Sequence, residues 1–283
     1  MQLTQEQFNS YHEQGFLVVP ECFSKLEVES MKGELPGLFA EDSPRRVLEK
    51  EGEIVRSVHG SHTTNQLFKR LTRHPKLVQP AMQFLGSQAY VYQFKINAKA
   101  AFSGDVWQWH QDFIFWRKQD GLLTPRIMNA MILLDDMNEF NGALFVIPGS
   151  HKEGMIDVNS PQFQEINNNN NLTEEKKQEW LLSFTANLKY SLPQEIVEEL
   201  ALKYGMYAIK APAGSVVFFD SNIAHASPNN ISPFSRSIVI VTYNSVENIP
   251  VPVENPRPEF IVGRDYRPVE VLSDDALLLP SLI

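Results

Sequence analysis

The sequence predicts an α+β protein with a mainly β core, a double-sheet jelly roll flanked by N-terminal helices. Three observations favour this fold. Helix-like stretches fill the first 88 residues, strand-like stretches bounded by turn residues follow, and strands and helices do not alternate strictly. The 283 residues, of which 43% are hydrophobic and 21% charged, suffice for one such core in a single domain.

The N-terminal region begins with a helix whose two ends are marked in the sequence. Thr4 is a capping residue, Tyr11 lies on the apolar side at helical spacing, and Gly15 ends the pattern. The apolar residues 16–19 then predict a short buried strand, which Pro20 closes.

Two further helical stretches complete this flank. Residues 24–35 start at the capping residue Ser24 and carry an imperfect apolar stripe. A stretch at about 67–85 is interrupted by Pro75 and Pro80, which remove backbone donors. We therefore expect the first 88 residues to be mostly helical.

Strand-like segments dominate from residue 89 onwards. Residues 90–97 alternate between polar and apolar side chains, as in a strand with two different faces. The later predicted strands are residues 127–134, 143–147, 214–219 and 237–243. The predicted domain plan is one domain over 1–283, with a jelly-roll core at 89–151 and 207–248 and a C-terminal extension at 249–283.

Residues 152–206 have the composition of an insertion between core strands. They contain five consecutive asparagines at 167–171 and two helical stretches, 173–182 and 193–202. We expect the insertion to be exposed. Two roles stay open, a lid over the substrate mouth and a passive surface elaboration.

Composition excludes several classes of partner. The formal net charge of −9 disfavours nucleic-acid binding, which needs a clustered basic surface. Cys22 is the single cysteine, so no intramolecular disulfide forms. The sequence lacks an apolar run of the roughly 20 residues that a membrane helix needs and shows no signal-peptide pattern, so we expect a cytoplasmic protein. The sequence does not distinguish a monomer from a homodimer.

The sharpest local feature is Trp109-His110-Gln111-Asp112. In an extended chain, residues two apart point to the same side, so His110 and Asp112 can bind one ion. His225 follows an apolar strand and offers a third ligand. Two histidines and one carboxylate are the facial ligand set of oxygen-activating iron(II), which leaves positions open for a co-substrate and dioxygen.

Arg236 stands eleven residues after His225, at the head of the last predicted strand. Its guanidinium is suited to bind the far carboxylate of a dicarboxylic acid in a bidentate pair. Taken singly, these residues have ordinary explanations as surface or packing residues, and their coincidence is what predicts a site. The remaining histidines are expected to be surface, capping or turn residues; they are His12, His59, His62, His74 and His151.

Several motifs resemble those of the phytanoyl-CoA dioxygenase superfamily, over residues 8–248, and within it those of the ectoine hydroxylases. The motifs are Tyr92-Gln93, Trp109-His110-x-Asp112-Phe113-x-x-Trp116, Asn141-Gly142-Ala143-Leu144, Ile147-Pro148-Gly149-Ser150-His151 and His225-Ala226-Ser227. The resemblance continues through Arg236-Ser237 and residues 243–248.

This resemblance implies a double-stranded β-helix, a jelly roll of the cupin-like type. It also implies iron(II) on His110, Asp112 and His225, with dioxygen and 2-oxoglutarate as co-substrates and Arg236 at the distal carboxylate of 2-oxoglutarate. By position, four residues match those that line the co-substrate or substrate pocket of the family: Gln93, Asn97, Trp116 and Ser227. Each of the four also has a plain structural explanation as a core, strand or turn residue.

The chain departs from the ectoine hydroxylases just after Asp112-Phe113. Where those enzymes carry an acidic residue and a small hydroxyl residue, Ile114 and Phe115 stand here, and Arg117 follows the tryptophan. We therefore expect a more apolar, differently charged pocket that rejects ectoine or binds it weakly, so that the chain is not itself an ectoine hydroxylase.

The expected function is oxidation of a small amino-acid-like or specialised metabolite, above all hydroxylation, with release of succinate and CO₂. Oxidative demethylation or C–N cleavage of a natural product by the same iron centre stays open, as does a catalytically inactive binding protein of the same fold. Asp112 argues against halogenation, because halogenases of this type replace the carboxylate ligand with a small residue.

Overall fold

Strands form two antiparallel sheets in the computed structural model, which describes residues 1–50, 52–158, 183–184 and 188–279. The strands are β1 (Phe16–Val19), β2 (Arg46–Leu48), β3 (Val55–His59), β4 (Ala89–Lys99), β5 (Trp107–His110), β6 (Ile127–Leu133), β7 (Phe145–Val146), β8 (Tyr207–Ala208), β9 (Val216–Asp220), β10 (His225–Ser227) and β11 (Arg236–Ser245). The α-helices are α1 (Gln5–Gln14), α2 (Lys25–Ala40), α3 (Gln66–Leu71), α4 (Pro75–Leu85), α5 (Asp112–Gln119) and α6 (Gln194–Tyr204). Two short 3₁₀ turns lie at Ser61–Thr63 and Ser150–Glu153.

The two sheets face each other and confirm the predicted jelly roll. The large sheet has the order β1-β9-β6-β11-β4-β3-β2, and the small sheet has the order β5-β10-β7-β8. Apolar side chains from β6, β9 and β11, such as Met131, Val217 and Ile240, form one buried cluster with Val146 of the small sheet. The space between the sheets is therefore partly filled by core, and the functional residues lie in the rest of it.

The N-terminal helices cover the outer face of the large sheet. Because side chains alternate along a strand, Phe94 and Ile96 of β4 pack against these helices, whereas Gln93 and Lys95 face the other sheet. One face of β4 therefore contributes to the hydrophobic core, and the other face contributes to the site.

Both predicted helix starts are confirmed at atomic detail. Thr4 accepts a hydrogen bond from the Gln7 amide, and the Gln7 side chain accepts one from the Thr4 amide. Ser24 and Glu27 form the same reciprocal arrangement at the start of α2. Such capping boxes satisfy backbone donors that have no partner inside the helix.

Three details of the helical flank differ from the prediction. Helix α2 continues past residue 35 through Pro36 to Ala40. The stretch at 67–85 is two helices, α3 and α4, because Pro75 starts a new helix while Pro80 is tolerated inside it. Strands β2 and β3 were not predicted, although they extend the large sheet.

The prediction of a surface or capping role is wrong for His59 and is confirmed for His74, which is a capping residue. His59 lies in β3 with no exposed surface, and its Nε2 is 2.9 Å from Ser57 Oγ. His74 does cap α4 through its Nδ1, which accepts from the Lys76 amide, but it is fully buried. Both histidines are thus held by polar partners inside the protein.

The insertion at 152–206 is only partly described, and the asparagine run at 167–171 and the predicted helix at 173–182 lie outside the described residues. The second predicted helix is α6. The expectation of an exposed segment is wrong for several described residues, since Phe184, Leu188, Tyr190 and Leu192 are buried in one core cluster. No helix among the described residues is long and apolar enough to cross a membrane.

Candidate metal centre

Three ligand side chains meet where the small sheet opens onto helix α5. One ligand atom each from His110, Asp112 and His225 lies within 4.8 Å of the others. All three residues are buried, with 5–7% of their surface exposed. The sequence prediction of a three-residue cluster is thereby matched in geometry.

Strand pairing brings the two histidines together. His110 ends β5, His225 begins β10, and the two are direct partners in the antiparallel ladder. Their ring centroids are 4.1 Å apart. Residues that face each other across antiparallel strands have neighbouring side chains, so the ladder sets this part of the geometry.

Asp112 reaches the same point because the chain changes from strand to helix at that residue. Gln111 has extended backbone angles of φ −112° and ψ 140°, and Asp112 is the first residue of α5. The Gln111 side chain fixes this junction by donating to Asn222 O at 2.6 Å and to Gly154 O at 2.8 Å. Phe113 N also donates to Ser221 O at 2.9 Å, which ties α5 to the segment before His225.

Backbone carbonyls set the orientation of both imidazoles. His110 Nδ1 lies 2.6 Å from Gln108 O, and His225 Nδ1 lies 3.0 Å from Ile223 O. A carbonyl only accepts hydrogen bonds, so each Nδ1 carries the proton and each Nε2 keeps its lone pair. The Nε2 atoms of His110 and His225 stand 3.7 Å and 3.9 Å from Asp112 carboxylate oxygens.

A chain of side chains across the large sheet orients Asp112. Asn129 Nδ2 donates to Asp112 Oδ2 at 2.7 Å, and Thr242 Oγ1 donates to Asn129 Oδ1 at 2.7 Å. Asn129 and Thr242 are fully buried partners on β6 and β11. Support of this kind is common behind metal-binding carboxylates.

The electrostatic environment favours the protonation states of metal ligands. Burial and the neighbouring His225 lower the pKa of His110 to about 3. Burial likewise lowers the pKa of His225. Burial acts to raise the pKa of Asp112, but Lys95, the two histidines and the Asn129 hydrogen bond together lower it. The cluster thus offers two neutral imidazoles and one carboxylate.

This donor set fits iron(II). Two imidazole nitrogens and one carboxylate on one side of an ion leave the opposite positions open, and this is the facial arrangement found in oxygen-activating non-haem iron proteins. Both Nε2 lone pairs are free for a metal, since the hydrogen bonds of both rings use Nδ1.

The structure brings all eight residues predicted for the site into one cavity between the sheets. They are Gln93, Asn97, His110, Asp112, Trp116, His225, Ser227 and Arg236. Gln93 donates to Ile261 O at 3.2 Å, and Trp116 stands edge-on to Tyr92. The buried Asn97 Oδ1 has no hydrogen-bond partner among the described residues.

Arg236 lines the same cavity, and backbone carbonyls hold its guanidinium in place. It is 2% exposed and donates to Gly142 O, to Asn141 O at 3.4 Å and to Ser227 Oγ at 3.3 Å. Burial lowers the pKa of its guanidinium to about 10, which leaves it charged at neutral pH. No carboxylate within the described residues forms an ion pair with it.

Sequence reasoning missed three further cations of the cavity wall, Lys95, Lys99 and Arg257. The signal for the two lysines was present, because they share the alternating face of Gln93 and Asn97 on β4. Arg257 lies in the C-terminal extension and carries no local pattern; it forms a buried ion pair with Asp120.

The three residues that depart from the ectoine hydroxylase pattern lie in three places, the cavity, the core and the surface. Phe115 lines the cavity, as expected for a more apolar pocket. Ile114 is buried in the neighbouring core cluster. Arg117 is exposed and donates to Leu122 O, so the expectation that it alters the charge of the pocket is wrong.

Comparisons with known proteins agree with this geometry. Residues 11–238 match the family of phytanoyl-CoA dioxygenase (PhyH). The chain is 38% identical to the L-proline trans-4-hydroxylase of Streptomyces griseoviridis over 94% of this chain and 95% of that protein. It is 35% identical to the ectoine dioxygenase of Bordetella bronchiseptica over 95% of this chain and 87% of that protein.

Solved structures of related proteins have a similar fold. The crystal structure of EctD from S. alaskensis with 2-oxoglutarate and 5-hydroxyectoine superposes with a TM-score of 0.78 and 27% identity, over 95% of this chain and 87% of that chain. The structure of the same protein with bound Fe gives a TM-score of 0.75 with the same identity and coverage.

Proposed function

Because this chain belongs to the phytanoyl-CoA dioxygenase family, we propose that it hydroxylates a small free amino acid or a close cyclic analogue. It is an iron(II)- and 2-oxoglutarate-dependent oxygenase, with dioxygen as the other co-substrate. The observation that carries the substrate proposal is a buried lysine beside the metal site, Lys95, which makes no hydrogen bond or ion pair within the described residues.

His110, Asp112 and His225 would hold the iron. When bound, iron(II) supplies oxygen activation, in which one oxygen atom enters the substrate and the other enters succinate as 2-oxoglutarate loses CO₂. The chain itself binds and orients the two organic molecules and keeps water out of the space between them.

We assign Arg236 to the distal carboxylate of 2-oxoglutarate. Its Nη1 makes no hydrogen bond within the described residues, and it faces a cavity that also contains Ser227 Oγ. A guanidinium and a hydroxyl are suitable donors for one carboxylate. Asn97 stands on β4 two residues before Lys99, the ladder partner of Arg236, and lines the same cavity; its Oδ1 has no hydrogen-bond partner within the described residues.

We assign Lys95 to a carboxylate of the primary substrate. It is 9% exposed, lines the cavity, and has no hydrogen bond or ion pair with any residue that the structure describes. Asp112 attracts this ammonium without forming an ion pair with it, so an anionic group of a ligand that pairs with the buried charge would stabilise it further. Because Arg236 is assigned to the distal carboxylate of 2-oxoglutarate, Lys95 remains available to bind a carboxylate of the substrate.

The other walls define a compact substrate. Phe115 and Trp116 supply apolar surface, and Gln93 supplies a polar group on the same strand face as Lys95. Proline and ectoine, the substrates in the names of the two relatives, are both small rings that carry a carboxylate beside a ring nitrogen. Phe115 favours the less polar of the two, so L-proline is the first substrate to test.

The test is product analysis with iron(II), 2-oxoglutarate and a panel of free amino acids and ectoine. We expect succinate release to be stimulated by L-proline and accompanied by a product heavier by one oxygen atom. Proline methyl ester, which lacks the carboxylate, should stimulate little. Equal stimulation by the ester and the free acid would contradict the carboxylate assignment, and loss of a methyl or amino group would favour demethylation or C–N cleavage.

A change at Lys95 tests the same proposal from the protein side. Lys95→Met should raise the KM for the amino acid by about 10–100-fold, because a charge-assisted hydrogen bond contributes about 1.5–3 kcal/mol. Lys95→Arg should recover part of the loss, and the requirement for 2-oxoglutarate should change far less.

We also propose that the enzyme acts in the cytoplasm, on this small molecule and without a macromolecular partner.

A further inference from the structure

Two buried basic residues lie directly opposite each other at the co-substrate end of the cavity. Lys99 is the last residue of β4, Arg236 is the first residue of β11, and the two are direct partners in the ladder. Each is 2% exposed, and both line the cavity. Like charges on facing strand positions repel, and burial strengthens the repulsion.

The groups that contact Lys99 and Arg236 within the described residues are neutral. Lys99 Nζ donates to Asp105 O and to Pro228 O, both at 2.7 Å. Arg236 donates to two backbone carbonyls and to a serine hydroxyl. The acidic side chains nearby are engaged elsewhere, Glu49 with Arg56 at 3.0 Å and Asp135 with Lys32 and the Ser237 amide.

The backbone is shaped to hold this lysine in place. Gly142 has a φ of +76°, and a Cβ there would lie 2.4 Å from Lys99 Cδ. Gly104 has a φ of +83°, and a Cβ there would lie 3.0 Å from the Lys99 backbone. Gly142 O also accepts from Arg236, so one glycine contacts both basic residues. Lys99 is therefore a fixed part of the co-substrate end of the cavity.

We propose that Lys99 is the second cationic residue of the distal-carboxylate site and takes up a proton from solvent when 2-oxoglutarate binds. This inference rests on the proposed function, because it needs Arg236 to bind that carboxylate. The added negative charge next to Arg236 cancels the repulsion that disfavours a charged Lys99.

The charges that face Lys99 support this proposal. Burial, with the charges of Arg236 on β11 and Arg56 on β3, lowers the pKa of Lys99 to about 6, although Glu49 after β2 and Asp105 in the following loop act to raise it. Without ligand, Lys99 is therefore mostly uncharged at pH 7.5. A bound carboxylate raises the pKa, so the affinity for 2-oxoglutarate is greatest below about pH 6 and falls as pH rises towards the pKa of the bound state, by up to ~10-fold per pH unit.

The experiment is calorimetric titration of the anaerobic iron(II)-loaded protein with 2-oxoglutarate, at pH 7.5 in buffers of different ionisation heat. We expect an uptake of about 0.5–1 proton per ligand. 2-Oxobutyrate, which has the same keto-acid end but no distal carboxylate, should cause little uptake, so it corrects for protons exchanged at the metal. In Lys99→Met the difference between the two ligands should vanish, whereas in Lys210→Met, at an exposed position, it should persist.

The wild-type titration is decisive even if Lys99→Met does not fold. Equal proton uptake with both ligands, or a Kd for 2-oxoglutarate that is constant between pH 6 and 8, would overturn the proposal for Lys99. Failure of the iron-loaded protein to bind 2-oxoglutarate at all would count against the proposed function instead.

Discussion

At the scale of single residues, two backbone carbonyls decide which imidazole nitrogens face the metal site. Gln108 O and Ile223 O hold the Nδ1 protons of His110 and His225, and each carbonyl lies two residues before its histidine. This local arrangement is independent of Asp112. Loss of one ligand residue should therefore leave the other two in place, but two ligands no longer form the facial set of three that binds iron(II).

Replacement of His110, Asp112 or His225 by alanine should lower iron affinity by more than about 100-fold and abolish turnover. Changes in residues that merely support metal ligands already cost about 10–100-fold. Equilibrium dialysis measures the affinity, and circular dichroism checks that the fold remains. His12→Ala, an exposed histidine on α1, is the matched control. Near-normal turnover in any of the three variants would refute the assignment.

Arg236→Ala should raise the 2-oxoglutarate concentration needed for half-maximal activity by roughly 10–100-fold, since charge-assisted hydrogen bonds to a carboxylate are lost. Arg236→Lys should recover only part of this, because an ammonium cannot form the bidentate pair. Kinetics at varied 2-oxoglutarate, with the exposed Arg117→Ala as control, test the assignment. An unchanged requirement would place the carboxylate elsewhere.

At the scale of elements, the prediction succeeded where a pattern was long. The alternation of β4 and the capped starts of α1 and α2 are local signals, and the structure confirms them. Strands β2 and β3 have three and five residues and follow no clear alternation, so only the pairing of β3 with β4 and of β2 with β3 makes them strands. His59 was misjudged and Lys95 was missed for the same reason. Which side of a strand is buried depends on the neighbouring elements, and the local sequence does not show it.

The link between β11, β6 and α5 gives a prediction at this scale. Asn129→Ala removes the donor that orients Asp112 and should weaken iron binding by about 10-fold or more. Thr242→Val should have a smaller effect, because Thr242 acts through Asn129. The double variant should be no worse than Asn129→Ala alone. Additive losses in iron affinity, measured by dialysis, would show that the two residues act independently.

At the scale of the whole molecule, the site is assembled from distant parts of the chain. The three predicted metal ligands come from β5, α5 and β10, the residues proposed for the co-substrate come from β4, β10 and β11, and Arg257 comes from the C-terminal extension. The ligand set was predictable because a short motif carries two of its three members. The contribution of the extension was not, because it depends on one long-range ion pair.

That ion pair gives the last prediction. Asp120, just after α5, accepts from Arg257 Nε at 2.7 Å and also from Tyr92, and Arg257 and Asp120 are both buried. Asp120→Asn would leave the Arg257 charge unpaired in the interior, so the free energy of unfolding should fall by about 3–5 kcal/mol. Asp265→Asn breaks an exposed pair with Arg267 and should change the free energy of unfolding very little. Urea unfolding measures both. If the two variants lose similarly little free energy of unfolding, the ion pair with Asp120 does not stabilise the packing of the C-terminal extension on the core.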